Sequence, residues 1–256
     1  GWAYGDKGIL VKYTKEYSKL NKNNYYIIIN DDSSLPLETI EGIDTLENAK
    51  FIVACEKKKI KNVFPVPTPY TGELETKITY DLPNIPFGDK INKCIWRGMS
   101  NSIDGECNKG VRRTIIDILK NRTDIADVGF NRNHIKNLDL PMKETMNKEE
   151  QCKFKIILSI DGWGWPGSIH WSFYSGSIPL IVSEYRPDYL KFFEEGKHYY
   201  SAKLDGSDII DKINYILNKS DKDNEIMIDN ITKRSNEIFN PEFLRNEYKK
   251  NFINDK

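Results

Sequence analysis

Residues 154–182 read FKIILSIDGWGWPGSIHWSFYSGSIPLIV, and no other segment constrains the chain as much. An apolar run empties through a glycine-rich turn into a helix-like stretch, and a second apolar run follows. Both runs are continuous rather than alternating, the pattern of strands buried on two faces of a parallel sheet. A strand that passes through glycines into a helix gathers free backbone N–H groups and the positive end of the helix dipole at one point, where phosphate binds. Trp163 and Trp165 stand in the same turn. Flat aromatic faces beside phosphate-binding geometry point to a ligand that is part nucleotide and part sugar.

Further strand-like runs lie at 25–30, 51–55, 93–97 and, more weakly, 125–129. Helical patterns fall at 111–120, 187–194, 207–218 and 224–239, and the stretch 241–252 opens with Pro241 at a first helical position. Strands alternating with helices imply an α/β fold with parallel sheets. Residues 64–89 break the pattern, with Pro65, Pro67, Pro69, Pro83 and Pro86 and little periodicity, and read as an irregular linker. The expected organisation is an α/β domain over 1–90, a second over 91–238, and a terminal helix, 239–256, that packs back on the first.

Lys+Arg and Asp+Glu both total 38, and this balance argues against broad nucleic-acid binding, which needs an excess of positive charge. No apolar run approaches a membrane span, and the first residues hold no apolar signal core. The expectation is either a cytosolic protein or a domain cut from a longer chain. Cys55, Cys94, Cys107 and Cys152 form no CxxC pair, so zinc is not expected, and Cys55 and Cys94 read as small core residues. His134, His170 and His198 are too scattered for a metal site or a catalytic dyad.

Three constellations can carry chemistry. In the turn at 161–168, Gly162, Gly164 and Gly167 allow close backbone approach to a ligand and Ser168 can cap the following helix; the bland alternative is a tight turn whose tryptophans pack in the core. In CIWRGMS (94–100) and VRRTIIDIL (111–119), Arg97, Arg112 and Arg113 bring cations to the sheet's C-terminal edge, where ligands of open α/β sheets sit. There the alternative is that Arg97 pairs with a structural carboxylate and that Arg112 and Arg113 are surface charges. In YYIIINDDSSL (25–35), Asp31 and Asp32 end a strand, and one of them can serve as a general base; a solvated turn or helix cap explains them equally. His170, just inside the helix after the glycine turn, can face a phosphate, whereas His198 reads as a packing residue.

Taken in order, Trp96-Arg97-Gly98, the arginine-led helix, CKFKIILSIDGWGWPGS, SGSIPLIV and YLKFFEEGKHYYSAKLDGSDI resemble glycosyltransferase family 90, which includes the Rumi-type protein O-glucosyltransferases and the fungal capsule xylosyltransferases. The resemblance implies two Rossmann-like domains in a GT-B arrangement, with the active site in the cleft between them. It implies a UDP-sugar donor (glucose or xylose), an acceptor hydroxyl on a protein or glycan, inversion at the sugar carbon and no metal cofactor. The family's donor loop falls on Gly162, Trp163, Gly164, Trp165, Pro166, Gly167 and Ser168. The loop after the Arg-Gly strand falls on residues 98–102, with Gly98, Met99 and Ser100 as its donor contacts, and Phe130 and His170 join the donor set. The helix-opening arginine is Arg112 or Arg113. The catalytic base of Rumi-type members aligns with Asp32, with Asp31 one residue off. Ser168 stands where many members carry an arginine that contacts the diphosphate. Two other readings remain open: a non-catalytic nucleotide- or sugar-binding module of the same fold, and a metal-dependent GT-A transferase with Asp31 and Asp32 as its acidic motif.

Overall fold

The computed structural model describes residues 7–21, 24–28, 48–53, 55–56, 63–68, 71–100, 110–132, 139–162 and 164–253. The first elements are α1 (Lys7–Tyr17), β1 (Tyr25–Ile28), β2 (Ala49–Val53), β3 (Cys55–Glu56), β4 (Val63–Pro65), β5 (Ile91–Met99), α2 (Val111–Leu119) and β6 (Ala126–Arg132). There follow α3 (Lys148–Gln151), β7 (Phe154–Ile160), α4 (Ser168–Ser172), β8 (Ile178–Val182), β9 (Arg186–Pro187), β10 (Tyr200–Ser201), α5 (Ile209–Asn218), α6 (Asp221–Ile238) and α7 (Pro241–Ile253). The chain divides into two compact units: Gly1–Thr79 with Tyr185–Phe192 and Asn236–Lys256, and Tyr80–Glu184 with Phe193–Ser235.

The first unit holds a three-stranded parallel sheet in the order β1-β2-β4 and the antiparallel pair β3-β9. Its core joins Leu10, Tyr13 and Tyr17 of α1, Ile52 of β2, Phe64 of β4, and Leu244, Tyr248 and Phe252 of α7. Apolar residues at i, i+4 and i+8 put the three α7 side chains on one helix face. Phe64 and Pro65, assigned from sequence to an irregular linker, belong to a strand instead. The proline is tolerated because β4 is an edge strand and Pro65 its last residue. The helix expected over 187–194 is a 3₁₀ turn, Asp188–Phe192, since Pro187 is taken up in β9 pairing with Cys55.

The second unit is a five-stranded, fully parallel sheet in the order β10-β8-β7-β5-β6. β7 and β8 are buried along their whole length, which accounts for their unbroken apolar sequences. α2 buries Ile115, Ile116 and Leu119, and α5 buries Ile209, Ile213 and Ile216. Each such side chain removed from water contributes about 1.5–3 kcal/mol. Cys94 and Cys152 are free, buried thiols. Among the described residues, no His, Cys, Asp and Glu side chains gather as a metal site, and no helix is long and apolar enough to cross a membrane.

Candidate functional site

The strand order of the second unit reverses between two neighbours. The chain passes from β5 outward to β6 on one side, and from β7 outward to β8 on the other. The exits of β5 and β7 therefore flank a topological switch point, the crevice where open α/β sheets bind ligands.

Arg112, in the first turn of α2, occupies that point. Its Nη1 donates to the Met99 carbonyl at the end of β5 (3.0 Å), and Nε and Nη2 donate to the Ile160 carbonyl at the end of β7 (3.4 and 3.3 Å). The guanidinium lies over the Trp96 ring, and Phe130 braces that ring edge-on at 5.3 Å. Two glycines make room. A Cβ on Gly98 would stand 2.5 Å from Trp96 Cζ2, and a Cβ on Gly162 would stand 2.6 Å from Arg112 Nη2. Trp96, Gly98, Met99, Phe130, Arg112 and Gly162 are thus brought together by direct contact. Next to Met99 the β5–β6 register shifts, so the ladder passes from Phe130 to Arg132 and skips Asn131. Ser100, buried, continues the pairing by donating its N–H to the Arg132 carbonyl (3.0 Å). Bulges of this kind re-aim side chains at sheet rims. The Asn131 Oδ1 is enclosed, with no hydrogen-bond partner among the described residues.

The other expected residues are placed differently. Arg97 follows Trp96 on the strand and so faces the opposite side of the sheet. Its Nη2 grips both oxygens of Asp127 (2.9 and 3.0 Å), while Nε and Nη1 donate to the carbonyls of Glu144, Trp96 and Asp127. Arg113 donates to Asp117, one turn on, and to the Asp139 carbonyl (2.7 Å). His170 is fully buried, with Nδ1 hydrogen-bonded to the Tyr80 hydroxyl (2.7 Å) and its ring packed against Tyr80 and Tyr174. His198 is buried edge-on against Phe193, and its Nδ1 accepts from the Glu194 N–H. Asp31, Asp32, Trp163 and His134 lie outside the described residues.

The turn itself departs from expectation in two ways. Ser168 does not cap α4: it is that helix's first residue, and its hydroxyl donates to the Ser159 hydroxyl (2.8 Å). The helix has only five residues, so its dipole is small, and among the described residues Arg112 is the cation held against the exits of β5 and β7. Trp165 and Pro166 are buried, Gly164 is half-buried, and Gly167 is exposed with open space where a Cβ would stand.

Asp161, which the sequence did not single out, is the turn's one buried carboxylate. Desolvation pushes it up to about 6, against the opposing pull of the Ser183 hydroxyl and the Glu184 N–H. A signal was present in its position: it is the acidic residue that directly follows the longest buried strand run and precedes the glycine set against Arg112.

An open parallel sheet flanked by helices, with an arginine at its switch point, makes this unit a parallel α/β fold of the kind that offers ligands a crevice at its strand exits. The sequence model of Glycosyl transferase family 90 matches residues 72–248, and the chain belongs to that family. Among solved structures it is similar to TarM, at 16% identity and a TM-score of 0.55, over 98% of this chain and 54% of that one. It is also similar to S. aureus TarM in a mutant form crystallised with fondaparinux, alpha-GlcNAc-glycerol and UDP, at 14% identity and a TM-score of 0.52, over 90% and 51% of the two chains. The GtfA/B complex matches at 10% identity and a TM-score of 0.53, over 93% and 54%. At these identities the likeness is one of fold. The chain spans about half the length of these neighbours. No curated protein matches it.

Proposed function

We propose that this chain transfers a sugar, glucose or xylose, from a UDP-sugar donor to a hydroxyl of a protein or glycan acceptor. The observation that carries the reading is the Arg112 guanidinium, held at the exits of β5 and β7 in a chain of glycosyltransferase family 90. A leaving diphosphate gains negative charge as the glycosidic bond breaks. A fixed guanidinium and backbone N–H groups of the turn between Gly164 and Ser168 offset that charge without reorganising. The UDP in the TarM mutant crystal accords with this donor class. In the proposed reaction Asp32, or its neighbour Asp31, takes the proton of the acceptor hydroxyl, which attacks the sugar carbon in line with departing UDP and inverts it. No metal takes part in the proposed reaction.

The test is calorimetry and UDP-release assays over UDP-glucose, UDP-xylose, UDP-galactose and UDP-N-acetylglucosamine. UDP-glucose or UDP-xylose is expected to bind and to release UDP slowly by hydrolysis. Arg112→Ala is expected to weaken that binding about 10- to 100-fold, the worth of a charge-assisted hydrogen bond. Asp32→Asn is expected to abolish transfer and leave donor affinity intact. Binding of another nucleotide sugar and none of these four would overturn the UDP assignment, and tight binding without turnover would make the chain a non-catalytic module.

A further inference from the structure

Asp161 directly follows β7 and is 4% exposed. Its N–H donates to the Val182 carbonyl at the end of β8 (3.1 Å). One carboxylate oxygen accepts from the Ser183 hydroxyl, and the other accepts from the Glu184 N–H at 2.7 Å. A single buried side chain thus joins the exits of two neighbouring strands. The residues on either side of it both touch Arg112: the Ile160 carbonyl accepts from the guanidinium, and Gly162 leaves the space the guanidinium fills.

We propose that Asp161 is the positioning residue of the donor site, tying the exits of β7 and β8 so that Ile160 and Gly162 hold the Arg112 guanidinium where the diphosphate binds. This rests on the reading that a donor diphosphate sits at Arg112. The charged groups that face the carboxylate are Glu184, after β8, and Arg112, on α2. Burial holds the carboxyl at about 6, close enough to neutrality that a ligand's charge matters. A diphosphate brought to Arg112 disfavours the ionised form of Asp161. By linkage, protonation of Asp161 then favours the diphosphate. Donor affinity rises as pH falls, and binding takes up a proton. The tie survives protonation, because the acid's carbonyl still accepts from the Glu184 N–H while its O–H donates to the Ser183 oxygen.

The experiment is calorimetric titration with UDP-glucose, whose diphosphate ester does not itself titrate in the range, between about pH 5 and 8. The wild type is expected to bind several-fold more tightly at the acid end, with proton uptake in between. Asp161→Asn, isosteric with the protonated acid, keeps the tie and is expected to bind with a flat pH profile at the wild type's low-pH affinity. Asp161→Ala lacks the tie and is expected to bind at least about tenfold more weakly at every pH. Ser183→Ala removes a donor that favours the ionised form and is expected to move the wild-type step to higher pH. Wild-type affinity and pH profile in Asp161→Ala would overturn the assignment. Should that variant fail to fold by thermal melting, an unchanged pH step in Asp161→Asn overturns it equally. Loss of binding in Arg112→Ala beside unaffected Asp161 variants sinks this inference alone, whereas binding untouched by Arg112→Ala sinks the donor-site reading beneath it.

Discussion

The Arg112 guanidinium lies 5.7 Å from the centre of the Trp96 ring, while Gly98, two residues along the same strand face, leaves that ring its room. The W-x-G spacing thus builds an aromatic floor for one arginine. A planar guanidinium can rest on that floor and reach carbonyls on two strands at once, which an ammonium on a flexible stem cannot. Arg112→Lys is therefore expected to behave nearly as badly as Arg112→Ala in donor affinity, despite keeping the charge. Calorimetric affinities of the two variants, measured side by side, check this. A lysine variant at wild-type affinity would show that charge alone suffices.

Gly162→Ala tests the other side of the same arginine. The added methyl would stand 2.6 Å from Nη2 and 2.7 Å from Cζ, contacts no real Cβ tolerates. The obstruction is the far end of a flexible side chain, so the guanidinium swings away and the backbone stays. The expected result is a folded protein, melting within a few degrees of wild type, with donor affinity about tenfold weaker.

Arg97 and Asp127 should separate stability from binding. The Arg97 side chain is 5% exposed and that of Asp127 28%, so the pair is largely enclosed. Asp127→Ala leaves a buried cation without its carboxylate and is expected to cost about 3 kcal/mol in urea unfolding, at the low end for a broken buried pair. Donor affinity of the folded variant should not change, because this pair faces the side of the sheet away from Trp96.

Much of this was legible in the sequence, for physical reasons that differ by residue. Ile156, Ile157, Leu158, Ile178, Leu180 and Val182 announce buried parallel strands, because only a strand covered on both faces reads as a continuous apolar run. Arg97, Arg112 and Arg113 were legible as cations near a strand exit, but not as three different roles. Strand alternation turns Arg97 away from Trp96, and one helical step of about 100° separates Arg112 from Arg113. Ser168 reads as a cap in the sequence but is not one, because capping depends on where the helix begins, and α4 begins at Ser168 itself rather than one residue later. Asp161 does not stand out in the sequence because its partners, Ser183 and Glu184, lie 22 and 23 positions away and meet it only through the pairing of β7 with β8.

In the first unit, the load falls on Phe252 near the end of α7. Its ring meets those of Tyr26 at 4.9 Å, Tyr248 at 5.3 Å, Tyr17 at 5.8 Å and Phe64 at 6.0 Å. Phe252→Ala is expected to cost about 3–5 kcal/mol through lost burial and the cavity left behind. Tyr248→Phe is expected to cost only about 1 kcal/mol. It removes the 2.7 Å bond to the Thr14 hydroxyl, but that hydroxyl keeps its bond to the Leu10 carbonyl. Urea unfolding of both variants gives the ratio, and near-equal losses would show that the aromatic cluster relaxes around the cavity.

Lys90 should leave a signature in the alkaline limb of the stability profile. Its buried amine donates to the Cys152 carbonyl, to the Ser175 carbonyl (3.2 Å) and to the Ser177 hydroxyl (3.1 Å), joining the segments that lead into β7 and β8. Burial lowers it from 10.5 to about 8. Because the folded value is the lower one, Lys90 holds more protons in the unfolded chain between about 8 and 10.5, and its own contribution to stability rises with pH across that window. The penalty for burying the charge is fully present below the window, on the order of 3 kcal/mol, and is relieved above it. Cys94, Cys152 and Tyr248 act in the opposite sense: burial raises all three, so the unfolded chain ionises them first, the thiols from about 9.0 and the hydroxyl from about 10.0, and their contributions fall as pH rises past those values. The rise from Lys90 is therefore expected between about pH 8 and 10. Urea unfolding of wild type and Lys90→Met at several pH values in that range checks it. The wild type should gain stability relative to the variant as pH increases, and parallel curves would show that another group carries the titration.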